Sequence, residues 1–211
     1  MTLTQRFLRA KHWQLFILTF GLPILFQIIF MVLMMSDVDS DGSVDSSSFN
    51  YFMYPFIAVL LICAVTYYGW LWSIATGLQR IIPENVKMKV RKFKVFFFIP
   101  LIYIIFFFTG LGFFMDEIGG PTRADKVVNA DKISSLMVFI LPVHLFSMFC
   151  ILYTLYFVAK SFKTAELQRQ TTFSEFVGEF FMVWFYPIGI WILQPKINQL
   201  VDRPPTDGIT Y

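Results

Sequence analysis

The sequence predicts an all-α membrane protein: four transmembrane helices and, after them, a bent C-terminal segment that is re-entrant or interfacial. Three observations lead there. Of the 211 residues, 57% are apolar, 19% aromatic and only 15% charged, which is outside the range of a soluble domain of this length. Four apolar stretches, about 13–35, 53–75, 95–115 and 133–158, each reach the roughly 20 residues a helix needs to cross hydrocarbon, and none contains Asp, Glu, Lys or Arg. All 17 Lys and Arg fall between or beyond these stretches, and unevenly.

The first stretch follows Arg6, Arg9 and Lys11, as a signal peptide would. Its run of about 23 residues is longer than a signal core, and no small-x-small cleavage site follows it, so it is read as a retained span. The spans are helices and not barrel strands, because text such as "VFFFIPLIYIIFFF" does not alternate every second residue between lipid and lumen.

Basic residues concentrate in cytoplasmic connections. The N-terminus has three and no acid, 76–94 has six against one acid, and 160–174 has three against one. The loop 36–52 has none, and 116–132 has three beside four acids. This pattern places the N-terminus, 76–94 and 160–174 in the cytoplasm and exports the other two loops, with the C-terminus expected inside.

The exported stretch "DVDSDGSVD" fits much of a calcium loop. Asp37, Asp39 and Asp41 take its first, third and fifth positions, Gly42 the sharp turn and Asp45 the ninth. The twelfth position, where a bidentate carboxylate completes the shell, is Ser48. An acidic, solvated linker is the plainer reading, and calcium the weaker one.

In the second span Gly69, Ser73 and Gly77 repeat every fourth residue, a small-residue face that lets another helix approach closely. Trp70 and Trp72 beside it suit interfacial anchoring. The following run "KMKVRKFK" reads first as a topology signal and second as a surface for anionic lipid. Val86, Val90 and Phe93 stand at helical spacing opposite Lys87, Arg91 and Lys94, which suggests an amphipathic entry into the third span. Hemmed in by two membrane helices, the run offers no site for nucleic acid.

His144 lies near the centre of the fourth span, where ionisable groups are costly and therefore candidates for function. Counted at 1.5 Å per residue from the cytoplasmic ends, His144 and Gln27 of the first span are each about 20 Å deep, which nominates them as hydrogen-bond partners. The pair reads either as glue between helices, worth about 1 kcal/mol, or as the lining of a polar path. Ser147, Cys150 and Thr154 continue the face of His144 by steps of three and four.

After 174 the apolar run Phe180–Leu193 is only about 21 Å long as a helix, against a hydrocarbon core of about 30 Å. Pro187 and Gly189 interrupt it, Pro195 follows, and Glu175 and Glu179 precede it one turn apart. A bent segment over 176–194 that returns Lys196, Arg203 and the tail 200–211 to the cytoplasm is expected, with a fifth crossing as the competitor. Re-entrant backbone must be covered by other helices, so this segment should pack on the bundle and offer Trp184 and Pro187 as contact points.

Two cysteines, Cys63 and Cys150, both within spans, exclude a disulfide framework. The sequence has no H-E-x-x-H, Gly-rich phosphate loop, paired-cysteine ligand set or serine-nucleophile motif. Catalysis and a bound cofactor are accordingly not expected.

The segments "WFYPIGIWILQPKIN" (184–198) and "IIPENVKMKVRKFKVFFFIPLIYI" (81–104) resemble uncharacterised multi-pass inner-membrane proteins of Bacteroidota-type bacteria. The resemblance spans essentially the whole chain and implies a bacterial cytoplasmic membrane, with the bent C-terminal segment as a shared feature; it brings no activity. The function expected is contact: an accessory, assembly or scaffold component acting on a membrane-protein partner or a second copy within the lipid bilayer. A small transport or channel subunit with Gln27 and His144 on its path is the alternative, and a membrane-embedded enzyme ranks below both.

Overall fold

The computed structural model describes residues 2–36, 46–119 and 130–202, and among them there is helix and no strand. The candidate calcium residues Asp37, Asp39, Asp41 and Asp45 lie outside the described residues, as do most of the second predicted exported loop and Arg203.

A short helix, α1 (Leu3–Arg9), opens the chain. A capping box starts it: the Thr2 amide donates to Gln5 Oε1 at 3.1 Å and the Gln5 amide to Thr2 Oγ1 at 3.4 Å. Helix α2 (His12–Ser36) follows, widened to a π-helical turn at Ile17–Gly21. The Thr19 hydroxyl donates back to the Leu15 carbonyl at 2.8 Å, and the Cys63 thiol reaches the Leu18 carbonyl at 3.5 Å, so polar hydrogens from two helices fall on the loosened turn.

Helix α3 (Ser46–Gly77) ends in a 3₁₀ turn at Leu78–Arg80. Pro83 then begins a turn closed by the Val86 amide on the Pro83 carbonyl at 3.0 Å. Helix α4 (Val90–Gly119) starts only after it, so Val86 belongs to the turn and the amphipathic entry is limited to Val90 onward. Helix α5 (Ala130–Leu167) runs past the predicted end of the fourth span through Lys160 and Lys163, because its last turns carry Phe162 and Ala165 into a core. Gln168 ends it in the left-handed region at φ 55°. Within these elements His12–Ser36, Met53–Arg80, Val90–Gly110 and Ile140–Leu167 are each long and apolar enough to cross a membrane.

The C-terminal segment is two helices, α6 (Phe173–Trp184) and α7 (Tyr186–Asp202), joined at Phe185. Pro187 has no amide hydrogen to continue the ladder of α6, yet it costs nothing in the first turn of α7, where that hydrogen would be spare. The chain reverses so sharply that a Cβ on Gly189 would stand 1.7 Å from the Met182 carbonyl oxygen. Pro195, expected to break the pattern again, sits inside α7 without ending it; Leu193, Ile197 and Leu200 around it are buried, and packing overrides local preference there.

The chain divides into two compact units, one of residues up to Lys87 together with those from Val158 on, the other Met88–Phe157. The first is centred on Trp70 and Ile74 of α3, Phe162 of α5, Phe176 of α6 and Ile190 and Ile197 of α7, all buried. In the second, Phe93 stacks on Phe157 with centroids 4.9 Å apart, and Phe96 lies against Tyr153 at 4.7 Å.

Three glycine substitutions should separate contact from propensity. Gly189→Ala forces a methyl into backbone and is expected to lower stability by more than about 3 kcal/mol, beyond the usual range for overpacking. Gly69→Ala meets only the edge of the Phe7 ring, at 2.7 Å, and should cost about 1–3 kcal/mol. Gly178→Ala meets nothing within 4 Å and should be neutral or gain up to about 1 kcal/mol. Thermal unfolding in detergent, followed by helical circular dichroism, ranks the three.

Candidate functional site

The polar chemistry of the first unit gathers where α7 meets α1 and α3. A helix as short as α1 leaves its last carbonyls without intrahelical donors. Gln194, fully buried in α7, supplies them: its Nε2 lies 3.1 Å from the Phe7 carbonyl, 3.2 Å from that of Leu8 and 2.8 Å from that of Ala10. Its Oε1 accepts from the Trp70 indole Nε1 at 2.7 Å. Indole nitrogen only donates and carbonyl oxygen only accepts, so the network itself fixes which way this amide points. Asn198, one turn on, accepts from Gln194 at 3.0 Å through Oδ1 and donates to Ala10 at 3.3 Å through Nδ2. Arg9 closes the edge on Asp202 at 3.3 Å.

Beside this amide lies an aromatic box. The Tyr186 ring sits 5.0 Å from both Tyr67 and Trp70 and 6.1 Å from Phe20. Its hydroxyl is sealed from solvent with no partner of full hydrogen-bond geometry, although the Thr19 hydroxyl stands beside it.

A second polar centre joins the end of α5 to α6 and α7. Lys163 Nζ donates to Glu166 Oε2 at 2.8 Å and to Glu179 Oε1 at 2.9 Å, and Lys196 Nζ approaches Glu166 at 3.9 Å. Glu179 is 7% exposed, and Lys163 is the cation that faces it. Glu175 serves the start of α6 instead, accepting from the Thr172 amide at 2.7 Å, from the Thr172 hydroxyl at 3.0 Å and from Arg169. The Thr172 amide first, then the Arg169 guanidinium and the Thr172 hydroxyl, hold its carboxyl down at about 2.

The other sequence-nominated residues fall as follows. The face of Gly69, Ser73 and Gly77 is taken by α1 of the same chain: Phe7 lies over Gly69, and Leu8 and Thr4 over Gly77. Ser73 is buried and turns its hydroxyl back to the Gly69 carbonyl at 2.7 Å. His144 Nδ1 is 2.9 Å from the Tyr103 hydroxyl, so the hydrogen bond for which depth nominated Gln27 is made by a residue of α4. The side chains of Gln27 and His144 are both exposed, whereas Ser147, Cys150 and Thr154 are buried. Trp184 is exposed, Pro187 half-buried. Sequence reading missed Gln194. The available signal was an amide between Leu193 and Pro195 in an apolar helix, which must find partners when buried.

Among the described residues no group of three or more His, Cys, Asp or Glu side chains gathers to hold a metal ion. No protein family, curated protein or solved structure matches the chain.

Gln194→Leu leaves the Trp70 indole hydrogen and the Leu8 carbonyl without their partner, while the carbonyls of Phe7 and Ala10 keep only the Ala10 amide and Asn198, and should cost about 3 kcal/mol. Gln194→Glu, which offers those carbonyls an oxygen and no hydrogen, should fail as badly. Faster amide exchange confined to residues 3–10 would register the loosened α1 in both variants. For Glu175 the depressed pKa makes its contribution to the start of α6 complete above the ordinary carboxylate range and lost as pH falls towards about 2. Carboxyl NMR titration should find that low value, and Arg169→Ala should raise it.

Proposed function

We propose that the protein acts without catalysis, through contact, as an accessory, assembly or scaffold component of a complex in the cytoplasmic (inner) membrane of a bacterium, with both termini in the cytoplasm. The orientation is supported by the charge distribution of the connecting segments, and the bacterial membrane by the resemblance of the segments 81–104 and 184–198.

One observation carries the reading. The turn between α6 and α7 holds Trp184, Phe185 and Ile188 outward as large apolar side chains, while the residues behind them, Val183, Tyr186, Gly189 and Ile190, are buried. Contact surfaces draw affinity from such rigid aromatic anchors, which lose little side-chain freedom when covered. The polar groups of Gln194, Lys163 and Glu179 meanwhile join one helix to another, and Asn198 and Glu166 add contacts to Ala10 and Lys196. The transport alternative, with Gln27 and His144 on a path, draws less support, since the His144 ring is already bonded to the Tyr103 hydroxyl.

Purification in mild detergent should recover a stoichiometric membrane-protein partner or a defined oligomer, and Trp184→Ala should weaken that association by about 2 kcal/mol or more. A monomer that moves a solute across liposomes, with the flux abolished by His144→Phe at unchanged expression, would overturn the reading in favour of transport.

A further inference from the structure

We propose that the elbow between α1 and α2 is a binding site for one anionic phospholipid, with Arg6 at its headgroup end. The elbow holds a groove of about 500 Å³ whose walls include Arg6 of α1, Ala10 just after it, and Trp13, Ile17 and Leu18 of α2. Leu15 forms its floor at 2% exposure, whereas Ile17 and Leu18 are 50% and 41% exposed on its walls. The groove is therefore mostly apolar, and Arg6 is the one charged residue of its lining.

Its direction matches a lipid. From Trp13 to Leu18 the α2 wall advances about 7.5 Å along the helix, away from the basic N-terminal residues and into the uncharged stretch that crosses the membrane. A phosphate beside Arg6 thus leads its acyl chain down the Ile17–Leu18 wall. A tryptophan at the mouth suits the headgroup boundary.

Charge complementarity selects the headgroup. The segment before the first span carries Arg6, Arg9 and Lys11 and no acid. Arg9 is occupied by Asp202 at 3.3 Å, whereas Arg6 and Lys11 are exposed and make no ion pair among the described residues. A guanidinium grips phosphate oxygens with two parallel hydrogen bonds. The choline of a zwitterionic lipid would bring a second cation to this corner, and an anionic glycerol headgroup brings none.

The other face of α1 is already spent. Thr4 and Leu8 lie against Gly77, Phe7 against Gly69, and Gln194 caps the carbonyl end. The groove wall is therefore held in place before a lipid arrives. This inference is independent of the contact surface at Trp184.

Native mass spectrometry of the full chain, offered equal phosphatidylglycerol and phosphatidylcholine, tests it. The wild type should retain one lipid, with phosphatidylglycerol preferred. Arg6→Ala should lower that preference about fivefold. Ile17→Trp, which fills the groove and changes no charge, should abolish retention of both lipids, and Arg91→Ala in the basic run should change nothing. No preference in the wild type, an equal loss in Arg91→Ala, or full retention by Ile17→Trp would each overturn the site. Should Ile17→Trp fail to fold, the wild type supplies the second reading. Spin-labelled phosphatidylglycerol should show an immobilised component that unlabelled phosphatidylglycerol displaces and phosphatidylcholine does not, and its absence overturns the proposal.

Discussion

One carboxamide ties together the part of this molecule that apolar packing could not have assembled alone. A seven-residue helix has little cooperativity of its own, and its exposed carbonyl end would be costly to bury. Gln194 lowers that cost by sharing its amide hydrogens among the Phe7 and Leu8 carbonyls of α1, the Ala10 carbonyl just beyond it and Asn198, while its oxygen accepts from Trp70. The same side chain therefore caps α1, fixes α7 against α3, and leaves none of these polar groups bare. Buried polar networks are stable when every member is satisfied, and Asn198 completes this one.

Close backbone approach is the second constraint, and glycine serves it in two ways. Gly69 and Gly77 open a face on α3 into which Phe7, Leu8 and Thr4 fit, the kind of contact by which helices associate when lipid offers no hydrophobic advantage. Gly189 does something stricter, because its neighbour is the Met182 carbonyl and not the end of a side chain. The reversal at Phe185 exists only because position 189 carries no Cβ.

Together these contacts explain why the surface reading is favoured over chemistry in an interior. Trp70, Gln194, Lys163 and Glu179 are the polar and charged side chains a search for a reactive centre would reach first, and each is committed to another helix. Among the exposed features of the described residues are an aromatic turn at Trp184–Phe185 and an apolar groove with Arg6 in its lining. The turn is backed by the buried Val183, Tyr186 and Ile190, and the groove by an α1 whose carbonyl end Gln194 caps.

Sequence alone determined the class, the four spans and the break in the C-terminal run, because each follows from quantities summed or interrupted locally. Partition into hydrocarbon adds up over about 20 neighbouring residues, and a proline or glycine acts on its own turn. The pairings were decided only by the tertiary structure. Gly69 and Gly77 advertised a close neighbour, and nothing in their spacing told that the neighbour is α1 of the same chain. Depth along a helix nominated Gln27 for His144, but depth leaves rotation about the helix axis free, and Tyr103 of α4 makes the bond. Gln194 meets Trp70 across 124 residues and Ala10 across 184. Such partners are set by where whole helices come to rest, and no local propensity carries that information.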